Sequence, residues 1–128
     1  MSALEAAVRA ARLGQPEPEG GGLAQAFVFA PDFVGFAGHF PGNPVLPAVV
    51  QLLAGRIAAE ALLGRPLALR AVTQAKFLQP VGPGEVVRLA CRPAAGQSPQ
   101  MVDCRLTLAA DGSPAAAFRL EVEPLEAP

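Results

Sequence analysis

The stretch from Pro47 to Leu63 constrains the fold more than any other part of the chain. Its polar side chains are Gln51, Arg56 and Glu60, and every other residue is apolar or small. Pro47 suits the first turn of a helix, where its missing N–H costs nothing, and Gly64 and Pro66 stop the helix near Leu63. Val49, Val50, Leu52, Leu53, Ala54, Ile57, Ala58 and Leu62 then cover most of the circumference, the pattern of a helix buried on nearly all sides. Arg56 and Glu60 stand four apart and can pair. Gly55 in mid-helix costs about 1 kcal/mol relative to Ala, a cost that close backbone approach would justify.

Something must wrap such a helix, and the rest of the chain supplies a sheet. Four strand-like segments follow, Leu67–Leu78, Glu85–Ala94, Gln100–Ala110 and Ala115–Glu123. Three alternate with period two. Val87, Leu89 and Cys91 oppose Arg88 and Arg92; Val102, Cys104, Leu106 and Leu108 oppose Asp103, Arg105 and Thr107; Phe118, Leu120 and Val122 oppose Arg119 and Glu121. One apolar and one polar face is the mark of an antiparallel sheet, and PVGPG, AAGQSP and DGSP make sensible turns. Upstream, Ala3–Leu13 reads as a short helix ended by Gly14, Gln15–Gly22 as a flexible connector, and Leu23–Ala30 as a strand. Phe33–Pro47 is a long loop of the kind that often carries function. The order predicts an α+β fold: an antiparallel sheet of five or six strands wrapped around the 47–63 helix.

Length and composition narrow the function. The 128 residues predict a single domain over 1–128, with the N-terminal helix and connector occupying 1–22. Hydrophobic residues are 52% and charged residues 16%, an apolar balance that oligomerisation would help to cover. A net charge of -1 with dispersed arginines argues against nucleic-acid binding. Cys91 and Cys104 sit among apolar residues and read as buried free thiols. One histidine and two cysteines make a zinc site unexpected, and no cofactor is implied. The N-terminus lacks the pattern of a signal peptide. The uncharged stretch Phe33–Gly55 is broken by Pro41, Pro44 and Pro47, so it does not read as a membrane span. The expectation is a soluble cytoplasmic protein.

The only histidine, His39, lies in the Gly/Pro loop that feeds the apolar helix. The run FAGHFPGNPVLPAVVQL resembles the loop-and-helix signature of the 3-hydroxyacyl-acyl carrier protein dehydratases: His-Phe-Pro-Gly-x-Pro, an apolar pair, then Pro-Gly at a helix start. KFLQPVGPGEVVRL is similar to a strand–turn–strand segment of the same family. The resemblance spans roughly residues 23–122 and implies the hot-dog fold, a homodimer or higher even oligomer, and a carrier-protein or coenzyme A thioester as substrate in fatty acid biosynthesis.

It also implies roles. His39 matches the base that takes a proton alpha to the thioester carbonyl. Ala48, where the family usually has Gly, would donate its backbone N–H to the carbonyl oxygen as negative charge develops. Phe36, Phe40 and Leu53 would line the acyl chain. One position departs. The family carries an Asp or Glu fourteen residues after the histidine, supplied by the other subunit, and here that residue is Leu53. A Gln often found four residues later is Ile57. Glu60 lies two turns beyond Leu53, too far for direct replacement, Gln51 is no acid, and Asp32 sits in the preceding loop. The resemblance therefore implies a dehydratase-like lyase with its acid missing. The alternatives are a hot-dog thioesterase, in which His39 or Gln51 and the Ala48 N–H act on the carbonyl, or a degenerate acyl-thioester-binding subunit. Such a subunit could pair with an intact homologue.

Overall fold

The structure, a computed structural model, describes residues 2–36, 42, 44–94 and 100–125. Two of the sequence-predicted site residues, His39 and Phe40, lie outside the described residues. In order, the elements are α1 (Ala3–Ala10), β1 (Arg12–Glu19), β2 (Gly22–Val28), a 3-10 turn at Val34–Phe36, α2 (Ala48–Leu63), β3 (Leu67–Phe77), β4 (Val86–Pro93), β5 (Met101–Leu108) and β6 (Pro114–Pro124). The six strands form one antiparallel sheet in the order β1-β2-β4-β5-β6-β3. Helix α2 packs on one face of it, against β2, β3, β4 and β6.

The alternating segments place their apolar residues where the pattern predicts. Leu89 pairs with Leu106, and Cys91 with Cys104, which in turn faces Phe118. All five are buried. Both cysteines are free thiols. Burial pushes the Cys91 thiol up to about 11 and the Cys104 thiol well above its ordinary value, since an apolar interior disfavours a thiolate.

The N-terminal region differs from expectation. The helix stops at Ala10, and the residues read as a flexible connector are mostly strand β1. The reason is a two-residue hairpin: Gly20 (φ 52) and Gly21 (φ 82) both take the positive φ that a type I′ turn needs, so β1 folds straight back on β2. Pro16 and Pro18 are tolerated because β1 is an edge strand, where a missing N–H breaks no inner ladder. A register irregularity between Leu13 and Glu17 is tied down by buried Gln25, whose amide donates to the Gly14 carbonyl at 3.1 Å.

Helix α2 also departs from the sequence reading. It is not buried all round: Val50, Gln51, Ala54, Gly55, Ile57, Ala58 and Ala59 are buried, but Val49 is 62% exposed and Ala48 and Ala61 are open. The sheet of one chain covers one broad side of the helix. At Gly55 the helix and sheet lie close together, since a Cβ there would meet Phe118 Cε1 at 2.7 Å.

Four charges lock α1 onto the C-terminal half of α2. Arg9 reaches Glu5 (3.1 Å) and Glu60 (2.6 Å), while Arg56 reaches Glu60 (3.0 Å) and Glu5 (2.5 Å), closing a ring. Glu60 also accepts the Leu67 N–H at 2.8 Å, fixing the start of β3. Burial alone would raise the Glu5 carboxyl, but Arg9 and Arg56 outweigh it and hold the group below its ordinary value. The predicted Arg56–Glu60 pair is thus half of a larger device.

Candidate active site

The approach to α2 is pinned on both sides. The Leu46 N–H donates to the Val81 carbonyl at 2.8 Å, and the Leu46 carbonyl accepts from Gln51 Nε2 at 3.2 Å. Leu46 and Val81 are both buried. The PVGPG connection between β3 and β4, read from sequence only as a turn, is therefore the wall that positions the helix start. The Gly82 N–H donates to Glu85 at 2.7 Å and stiffens that wall.

Pro47 follows as the N-cap, with φ -63 and ψ 151, and no side chain caps the helix. The Val50 and Gln51 N–H groups reach the Pro47 carbonyl. Those of Ala48 and Val49 have no acceptor among the described residues. Two amides without an acceptor among the described residues, at the positive end of a helix, make a ready site for an oxyanion or a polarised carbonyl.

A row of buried phenylalanines runs from β2 into the 3-10 turn. Phe27 stacks on Phe29 (6.0 Å between ring centroids), Phe29 meets Phe33 edge-on (4.8 Å), and Phe33 meets Phe36 (5.6 Å, 82° between planes). Phe36 is 7% exposed and closes this row. Leu53 is half-buried and packs against the core one and a half turns into α2. Ile57 is fully buried below it. The helix start thus gathers Ala48, Gln51, Leu53 and the end of the loop, with a single polar side chain among them.

Neither carboxylate weighed from sequence as a replacement acid is at this spot. Glu60 is occupied by Arg9, Arg56 and the Leu67 N–H at the other end of α2. Asp32 is exposed in the turn before the loop.

Gln51 is the residue that sequence reasoning undervalued. It is 4% exposed, and its Oε1 is buried with no hydrogen-bond partner among the described residues. The signal was there: one amide in an otherwise apolar run, four residues after Pro47 and on its face of the helix.

A concavity among the described residues lies elsewhere. It is about 450 Å³ on the sheet face opposite α2, between Arg88, Arg92, Arg105 and Arg119. Arg88 pairs with Glu19, and Arg119 with Asp103. Arginines that stay protonated offer no base for carbon acid chemistry.

Comparison with known proteins shows the family. The family model described as ApeI-like, ApeI dehydratase, matches residues 16–118. A 3-hydroxyacyl-[acyl-carrier-protein] dehydratase, FabZ, of Chlamydia trachomatis serovar L2 is 46% identical over 63 residues, covering 42% of this chain and 41% of the relative. The FabZ of Thermomicrobium roseum is 41% identical over 61 residues, with 42% and 41% covered. The match thus spans about two fifths of the length of these curated relatives. Among solved structures, the dehydratase heterocomplex ApeI:P from Xenorhabdus doucetiae superposes with a TM-score of 0.73 at 21% identity, covering 87% of this chain and 95% of that one. Sheet order, central helix and the match over 16–118 converge: the chain has the hot-dog fold and belongs to the ApeI-like dehydratase family.

Proposed function

We propose that this chain acts on an acyl thioester of a carrier protein or coenzyme A, dehydrating a 3-hydroxyacyl thioester to the 2-enoyl thioester at the N-terminus of α2. The observation that carries the reading is the family match through residues 16–118, which includes the loop and the helix start where two amides have no acceptor among the described residues. His39 takes the C2 proton. The electron pair moves toward the carbonyl, whose oxygen draws on the Ala48 N–H. The C3–O bond then breaks, and the hydroxyl leaves as water once a proton reaches it. The elimination balances without an electron acceptor, so its own chemistry asks for no redox cofactor. Phe36, Phe40 and Leu53 line the acyl chain.

The leaving hydroxyl needs an acid, and Leu53 cannot be one. General acid help is worth about 10²–10⁴ in rate, so turnover by this chain alone is slow. A second chain would supply the missing cover, and one that carries a carboxylate at the position of Leu53 would also supply the missing acid. Support comes from the exposed apolar side chains Val49, Phe77 and Leu78 (44–62% exposed) and from β3, which pairs with β6 alone. The assembly is a homodimer or a pairing with a carboxylate-bearing hot-dog chain, acting in the cytoplasm as one domain over 1–128. No described helix is long and apolar enough to cross a membrane.

Leu53 and Ile57 also favour a second reading, a catalytically degenerate subunit that binds acyl thioesters without turning them over. Incubating the protein with 3-hydroxyacyl, enoyl and saturated acyl thioesters, on carrier protein and on coenzyme A, separates the possibilities. Enoyl formation that His39→Ala abolishes supports the dehydratase. Release of free thiol from saturated substrate supports a thioesterase instead, and binding without turnover supports the degenerate subunit.

A further inference from the structure

Gln51 holds an unused acceptor in the one place where an acyl thioester would react. Its amide nitrogen donates to the Leu46 carbonyl at 3.2 Å. That contact fixes the orientation of the amide, because turning it would set oxygen against oxygen. Oε1 is therefore the free end. It is buried, with less than 1 Å² accessible, and has no partner among the described residues. Leaving such an acceptor without a donor costs about 1–3 kcal/mol in general, a cost that an arriving ligand can recover. The side chain of a helical residue leans toward the N-terminus, and the contact with the Leu46 carbonyl holds the amide near the start of α2.

We propose that Gln51 Oε1 accepts a hydrogen bond from the 3-hydroxyl of the bound acyl thioester, making Gln51 the residue that selects hydroxylated over saturated chains. This rests on the acyl-thioester reading above. An acceptor requires a donor, and in the acyl portion of these substrates only the hydroxyl is one. Saturated and enoyl chains carry none. The amides of the carrier arm lie beyond the thioester sulfur, on the far side of the carbonyl that the helix amides hold. Gln51 is also the single polar side chain between Ala48 and Gly55, so no neighbour on the helix competes for the hydroxyl. An amide oxygen cannot give up a proton. Gln51 is thus a specificity residue that orients the hydroxyl, and it leaves the need for an acid at Leu53 unchanged.

The test is a binding ratio, measured by calorimetry with the oxygen-ester analogues of a 3-hydroxyacyl-coenzyme A and the saturated acyl-coenzyme A of equal length, a link that adds no hydrogen-bond donor. The wild type is expected to bind the hydroxylated analogue about tenfold tighter, the worth of one buried hydrogen bond. Gln51→Met and Gln51→Leu are expected to bind both within about twofold, the levelling that loss of that one bond predicts. Two apolar variants are used so that one folded protein suffices. Gln51→Glu restores the preference, since burial keeps its carboxyl neutral, able to donate to Leu46 and accept from the hydroxyl. A merely structural role would move the melting temperature and leave the ratio alone. A folded apolar variant that keeps the preference overturns the inference. So does a wild type that binds both analogues equally, whatever the variants do. A wild type that binds neither overturns the acyl-thioester reading and the inference with it.

Discussion

Gly55→Ala pits two terms of similar size against each other, and the structure says which wins. Alanine in place of glycine in mid-helix stabilises by about 1 kcal/mol through helix propensity. Against this, the new methyl would sit 2.7 Å from Phe118 Cε1 and 3.2 Å from both Phe118 Cζ and Leu120 Cδ1, when ordinary contact begins at 3.4 Å. Phe118 has nowhere to go. It is 3% exposed, and its ring stacks on Phe77 with centroids 6.3 Å apart. Pushing a methyl into such a packed spot costs about 1–3 kcal/mol. The expected net is a loss of about 1 kcal/mol, roughly 4 °C in Tm for a chain this size. Urea unfolding of wild type and variant at one fixed protein concentration reads it, with an unchanged m value confirming that the effect lies in the folded state. A variant more stable than wild type would refute the claim that α2 seats on the sheet through Gly55.

Other consequences are as direct. Glu60→Gln leaves Arg9 and Arg56 without half their ring and weakens the Leu67 contact; the pairs are partly buried, so the loss should be about 2 kcal/mol by thermal or urea unfolding, between the surface and buried limits. The Glu5 carboxyl lies below its ordinary value of 4.5, so its contribution to stability is full above that pH and is lost as pH falls through the lowered folded value. A pH series of melting curves should show that loss in the wild type and its absence in Glu5→Gln. With the Cys91 thiol pushed up to about 11 and the Cys104 thiol raised well above its ordinary value, neither should react with a disulfide reagent at pH 8 in the native protein, and both should react in denaturant; rapid labelling of the native protein would contradict their burial. Leu53→Glu should raise dehydration at least about tenfold by restoring an acid. A folded variant with no gain would show that position 53 is not where the acid belongs.

The sheet and central helix were legible because their signals are local. Period two in β4, β5 and β6 and a Pro start with a Gly stop around α2 are readable residue by residue. The β1 hairpin was misread because two prolines outweighed a Gly-Gly turn, and edge-strand tolerance of proline is visible only once the strand order is known. The motif around His39 suggested chemistry from sequence alone. Whether a polar group is satisfied depends on partners distant in sequence. That is why the free oxygen of Gln51, the Val81 anchor and the Glu5–Arg9–Arg56–Glu60 ring emerged only in three dimensions. The uncovered apolar side of α2 has the same origin: the sequence states that the helix is apolar, and only the packing states how much of it one sheet can hide.

The most direct test of the central claim is the rate at which the purified chain converts a 3-hydroxyacyl thioester to its 2-enoyl product, compared between wild type and His39→Ala. The account predicts slow but measurable enoyl formation by the wild type and none by a folded His39→Ala. Equal rates in the two proteins, or no enoyl from the wild type, would contradict it.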